Sequence, residues 1–224
     1  MLVRAFARMT ALTALLTVCL SGATMAGSGT ESGADSGPVA RTTGAPALPD
    51  AAVIQTVADG TAVLRIDGII TKGVEQRLTD AVQALPRTLP LVIELSSPGG
   101  FTSAGYRMID LILAEREKGR PIATRVRAGE ACESMCVGVF LAGYPRYAAP
   151  NAEFMVHAPR MAEDGRMTLR TTTTMVSRLV SLGASQGWIE QVRAAGGFSG
   201  SVDYRETADA LSAAGANVVT HLIH

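Results

Sequence analysis

"ELSSPGGFTSAGYRMIDLI", Glu94–Ile112, is the stretch whose reading decides the fold. It overlaps "LVIEL" (Leu91–Leu95), a short apolar run of the kind found in a strand covered on both faces. The run breaks at "SSPGG" and resumes as "AGYRMIDLILAEREKG", whose spacing is helical and which Gly119 closes. Strand, tight turn and helix make one α/β unit. In open α/β sheets the carboxyl ends of the strands are where ligands bind. Gly99 and Gly100 have no Cβ, so the backbone there can approach a ligand closely. A plain tight turn into the helix would use the same glycines.

Working outward, "TAVLRIDGII" (Thr61–Ile70) reads as a strand with a turn at Asp67-Gly68, and "VEQRLTDAVQAL" (Val74–Leu85) as a helix stopped by Pro86. "PIATRVRA" (Pro121–Ala128) is another strand, and "ACESMCVGVFLAG" (Ala131–Gly143) reads as a helix. "AEFMVHAP" (Ala152–Pro159) is a strand, and residues 168–194 are helical with a break at Gly183–Gly187. "RETADALSAAG" (Arg205–Gly215) reads as a short helix and "ANVVTHLI" as a closing strand. Strands alternating with helices predict an α/β fold with a mostly parallel sheet.

The amino-terminal region has a different character. Arg4 and Arg8 precede the apolar "MTALTALLTVCL" (Met9–Leu20), and small residues follow, with cleavage expected after Ala23 or Ala26. Residues 1–26 are therefore expected to be a signal peptide that directs export to the periplasm; an uncleaved membrane anchor is the competing reading. Residues 27–50 are rich in Gly, Ser, Ala, Thr and Pro and read as a flexible linker. The folded domain is expected over residues 51–224.

Export bears on the cysteines. Cys19 would leave with the signal, so Cys132 and Cys136 remain as an even pair in an oxidising compartment. A disulfide between them is favoured if Cys132 lies just before a helix. Two thiolates without a third Cys or a nearby His are an incomplete metal set, so no metal and no cofactor is expected. The formal net charge is zero, which argues against a nucleic-acid partner.

Two residue types carry chemistry here. Ser134 falls at or near a helix start, where unpaired N–H groups favour developing negative charge, though taken alone a serine there reads first as a helix cap. His157 ends a strand in "MVHAP", and a lone histidine is more often structural than catalytic. His221 and His224 lie in the final segment and are poorer candidates.

The order strand–SPGG–helix, then Ser-Met at a helix start, then "PRYAAPNAEFMVHAP", resembles the Clp protease proteolytic subunit. More broadly it is similar to the Clp protease/crotonase superfamily of spiral ββα units. The likeness runs from about Ile66 onward and is strongest in the opening stretch and in "ESMCVGVFLAGYPRYAAPNAEFMVHAP" (Glu133–Pro159). It implies a serine peptidase with Ser134 as nucleophile and His157 as general base. The backbone N–H groups of Gly100 and Met135 would form the oxyanion hole. "DYRETADALSAAGANVV" matches the segment that follows the family's third catalytic residue, which makes Asp203 the acid; Asp164 and Asp209 are less well placed. On these roles, replacing Gly100 is expected to harm activity more than folding.

The chain order Ser…His…Asp, with no G-x-S-x-G, is not that of the α/β-hydrolases. A Ser–Lys dyad would need Lys72 or Lys118, and neither has a motif around it. The resemblance implies a peptide or unfolded-protein substrate and a homo-oligomer. Export argues against an ATP-driven unfoldase as partner, because no ATP supply is expected outside the inner membrane. The alternative from another class is a non-catalytic member that uses the same cleft to bind a peptide or partner. A crotonase-type acyl-thioester enzyme would need coenzyme A, which is not expected there.

Overall fold

The computed structural model describes residues 51–161 and 164–223. The signal peptide and linker expected over residues 1–50 lie outside the described residues.

The described chain opens with a hairpin of β1 (Ala52–Ala58) and β2 (Thr61–Asp67). Asp59 and Gly60, both at positive φ (50° and 70°), close it, and Asp-Gly is the pair such a two-residue turn favours. Beyond the hairpin the sheet is parallel. It is continued by β3 (Leu91–Ser96), β4 (Ile122–Val126), β6 (Arg146–Ala148) and β9 (His221–Leu222), in the order β1-β2-β3-β4-β6-β9. A smaller sheet joins β5 (Ala131–Glu133) in parallel to β7 (Glu153–Val156), and β7 in antiparallel fashion to β8 (Tyr204–Thr207). The expected α/β class with a mostly parallel main sheet is therefore what the chain forms.

Alternation along β3 shows how the sheet is used. Leu91, Ile93 and Leu95 are buried in the core, together with Val74 and Leu78 of α1 (Lys72–Ala84) and Met108, Ile109 and Ile112 of α2 (Thr102–Glu117). Glu94 points to the other face, as the period of two requires. α3 (Met135–Ala142) is apolar all round and every residue of it is buried, the expected state for a helix without a polar face. Phe140 of α3 packs on Phe154 of β7 at 4.9 Å between ring centroids, tying the core helix to the smaller sheet. Buried Arg146 donates from Nε to the carbonyl of Val218 and from a terminal nitrogen to that of Asn217, which holds the last segment against β6.

Helices α4 (Leu169–Ser181) and α5 (Gln186–Ala194) divide at residues 182–185, earlier than the expected Gly183–Gly187 break because Gly187 is inside α5, and each starts on a hydroxyl cap, Thr168 and Ser185. α6 (Ala208–Ala213) follows β8. Three sequence readings change, the first being the closing strand expected over Ala216–Ile223, of which only His221–Leu222 is strand. Ala131–Glu133 is strand rather than the first turn of a helix, because Ser97 and Ala131, then Glu133 and Ser97, exchange backbone hydrogen bonds at 2.9 Å each. Tyr204–Thr207 is likewise strand, paired to β7, so the helix expected from Arg205 begins only at Ala208. Among the described residues no helix is long and apolar enough to cross a membrane.

Candidate active site

Ser134 occupies the single residue between β5 and α3, with φ 54° and ψ −119°. Positive φ is costly for a residue with a Cβ, so its surroundings must fix it. Its N–H donates to Met155 O of β7 at 2.7 Å, and its carbonyl accepts from Val137 N at 3.1 Å. A disulfide joins Cys132 on one side of it to Cys136 on the other, with the Cα atoms 5.2 Å apart. Strand before, helix after and a covalent bridge across make a turn with little freedom. The serine hydroxyl does not cap α3. Among the described residues Ser134 Oγ has no hydrogen-bond partner, so capping does not account for this serine.

The glycine turn lies directly against it. A Cβ on Gly99 would stand 2.7 Å from Glu133 O, and 2.9 Å from both Met135 N and Ser134 Cβ. Gly99 and Gly100 both have positive φ, 88° and 151°. The turn is held by Ile70, whose N–H donates to Gly99 O at 2.8 Å and whose carbonyl accepts from Phe101 N at 2.9 Å. Between those two bonds the Gly100 N–H is skipped. Like the N–H of Met135, the first residue of α3, it has no acceptor among the described residues. A Cβ on Gly100 would lie 2.2 Å from Ile70 O, so a substitution there strains the turn as well as the site.

His157 follows the last residue of β7 and is half-buried. Its Nδ1 lies 2.8 Å from Ala158 O, and a carbonyl can only accept, so Nδ1 carries a proton. A neutral ring held this way presents Nε2 as an acceptor. Ser134, Met135, Gly100 and His157 line one cavity of about 210 Å³, together with Pro159 and Arg160.

Asp203 is near but otherwise engaged. The antiparallel register ends at Val156↔Tyr204, and one further step sets Asp203 across from His157. Its carboxylate accepts from Arg160 at 3.2 Å, while His157 Nδ1 is turned to its own neighbour's carbonyl. The structure thus gathers Ser134, His157, Gly100 and Met135 around one space and leaves the Asp203 carboxylate on Arg160. Of the other candidates, Asp164 pairs with Arg166 and Asp209 sits in the first turn of α6. Lys118 pairs with Glu115 at 2.9 Å, and Lys72 begins α1; neither lines the cavity. Arg160 is the residue that sequence reading missed. It follows "HAP" directly, yet nothing in the sequence ties it to an aspartate 43 positions away.

Among solved structures, the fold is similar to that of a ClpP1 mutant from Listeria monocytogenes, with a TM-score of 0.55 and 20% sequence identity, covering 72% of this chain and 90% of that one. No curated protein sequence matches the chain. A model of the Clp protease family matches residues 56–182, from the end of the first strand past the glycine turn, Ser134 and His157 to the close of α4; the match spans more than half of the sequence, and on it the chain belongs to the Clp protease family.

Proposed function

We propose that this chain, from a family whose general function is of the peptidase type, is an exported serine peptidase that cleaves peptides or unfolded protein through an acyl-enzyme. The single observation that carries the reading is the Ser134 hydroxyl, without a partner among the described residues, held on a strained turn in one cavity with His157 and two backbone N–H groups that likewise have no acceptor among them. His157 Nε2 takes the proton of Ser134 Oγ as the oxygen attacks the scissile carbonyl. The N–H groups of Gly100 and Met135 meet the oxyanion, a contribution typically of about 3 kcal/mol for one donor. The imidazolium then protonates the leaving amine, and water releases the acyl group by the same steps in reverse order. Asp203 is the acid that orients the ring and stabilises its charged form. Export is supported by the Cys132–Cys136 disulfide, because such bridges persist in oxidising compartments. An ATP-driven unfoldase is then not expected as a partner, and a homo-oligomer remains part of the reading.

A fluorophosphonate probe tests the chemistry. It should label the wild-type chain at Ser134 and leave Ser134→Ala unmodified; an unlabelled wild-type chain overturns the peptidase reading. One observation favours a second reading, a non-catalytic peptide-binding protein: Asp203 is held by Arg160 and not by His157. That reading predicts peptide binding without labelling.

A further inference from the structure

The cavity at Ser134 has a neighbour. A second pocket of about 300 Å³ shares Thr102, Pro159 and Arg160 with it as a common wall. Its own lining adds Tyr106, Met161, Thr171, Thr174 and Arg170. That lining holds two arginines and, among the described residues, no acidic residue. Among the described residues the Arg170 guanidinium has no ion-pair partner. Asp110, the nearest acid along α2, is paired with Arg178 and lines a different pocket. Arg160 therefore stands at the junction of two spaces and already holds one carboxylate, that of Asp203, by a single contact with both side chains about two-fifths exposed.

We infer that Arg160 and Arg170 form a receptor for a carboxylate of the substrate, and that its arrival at Arg160 releases Asp203 to His157. The inference rests on the peptidase reading for its second half only. Exchange of one carboxylate for another on the same guanidinium leaves charge balanced. An exposed single-contact pair is weak enough to give way, and planar guanidinium favours a carboxylate that can engage both of its N–H edges. The freed Asp203 is one register step past the last β7–β8 pair, across from the histidine. The substrate would thus help to assemble the site that cleaves it. Two sources supply the carboxylate: an Asp or Glu side chain near the scissile bond, or the free C-terminus of a peptide.

The test uses end-blocked, internally quenched peptides that differ only by Glu or Gln at one position, and neutral peptides that end in a free acid or an amide. The anionic member of one pair should be favoured in kcat/KM by about tenfold or more, the scale of a charged hydrogen bond. A preference in the first pair identifies a side chain, and in the second a C-terminus. Arg170→Gln should raise KM for the anionic peptide. Arg160→Gln should abolish the preference and, by freeing Asp203, raise kcat on neutral peptides. Loss of turnover on neutral peptides in folded Arg160→Gln would overturn the release of Asp203. Binding to Ser134→Ala, followed by fluorescence anisotropy, keeps the receptor testable without catalysis. An equal Kd for Glu and Gln peptides and for acid and amide peptides overturns it, whatever the probe shows at Ser134.

Discussion

Arginine meets carboxylate in two places, and the two sites are built in opposite ways. On the outer face of the main sheet, Arg65, Glu94 and Arg125 stand in one row across β2, β3 and β4. Glu94 is fully buried and accepts from Arg65 at 2.9 Å and from Arg125 Nε at 2.8 Å, with Arg127 at 2.7 Å. Arg65 in turn reaches Glu130 and Asp67. At the rim of the candidate cavity Arg160 and Asp203 share one contact of 3.2 Å in solvent. A carboxylate held by three arginines inside a sheet cannot leave without exposing buried charge. One held once at a surface can be exchanged. Burial and the number of partners separate a fixed ion pair from a switchable one.

The sharpest way to break the comparison is Glu94→Gln, which leaves three guanidinium groups facing one another without their anion. Removing one partner of a buried network typically costs about 3–5 kcal/mol, so chemical denaturation should show the largest loss of this series. Acid titration sharpens it further. Burial raises the Glu94 pKa, but the hydrogen bonds from Arg65, Arg125 and Arg127 outweigh burial and hold it below the ordinary carboxylate value. A depressed folded pKa means that the unfolded chain binds the proton more readily. The stabilisation is therefore present above the unfolded pKa and lost as pH falls through the folded one. Glu94→Gln should flatten that acid limb of the stability curve, and an unchanged limb would show that other carboxylates govern it.

Next in size is Gly100→Ala. The added Cβ would meet Ile70 O at 2.2 Å with φ at 151°, and strain with overpacking typically costs about 3 kcal/mol. Thermal unfolding should report the loss, and a folded variant of wild-type stability would mean that the turn can move away from Ile70. The disulfide comes third. Cys132 and Cys136 are separated by only four positions, so the entropic gain from closing so short a loop is about 2 kcal/mol. Because both sulfurs are buried, Cys132→Ala/Cys136→Ala is a cleaner probe than added reductant. A melting temperature equal to wild type would remove the idea that the bridge clamps the Ser134 turn.

These sites also show what the sequence could disclose. The glycine turn and His157 were legible because each ends a strand whose apolar run is plain, and Ser134 because the apolar run of α3 starts directly after it. β1 was not, since Ile54 and Val57 are exposed on an edge strand and no alternation marks a buried face. β5 was hidden by length, being three residues stabilised by pairing with Ser97 and β7 and not by a pattern of its own. The candidate acid was legible by position, but its partner was not. Whether Asp203 faces His157 or Arg160 depends on a side-chain orientation and an arginine far away in the chain, which no local periodicity encodes.

The smallest effect on stability is expected at that rim. Asp203→Asn removes one exposed ion pair, and such pairs contribute about 0–1 kcal/mol and less at high salt. Its melting temperature should therefore stay close to that of wild type, while Glu94→Gln falls well below. Activity separates what stability does not. If Asp203 supports His157, Asp203→Asn should lose turnover by orders of magnitude at nearly full stability, through kcat rather than KM. If the aspartate serves only to occupy Arg160, turnover survives. A large stability loss in Asp203→Asn would break the comparison from the other side, because the rim pair would then be as fixed as the one in the sheet.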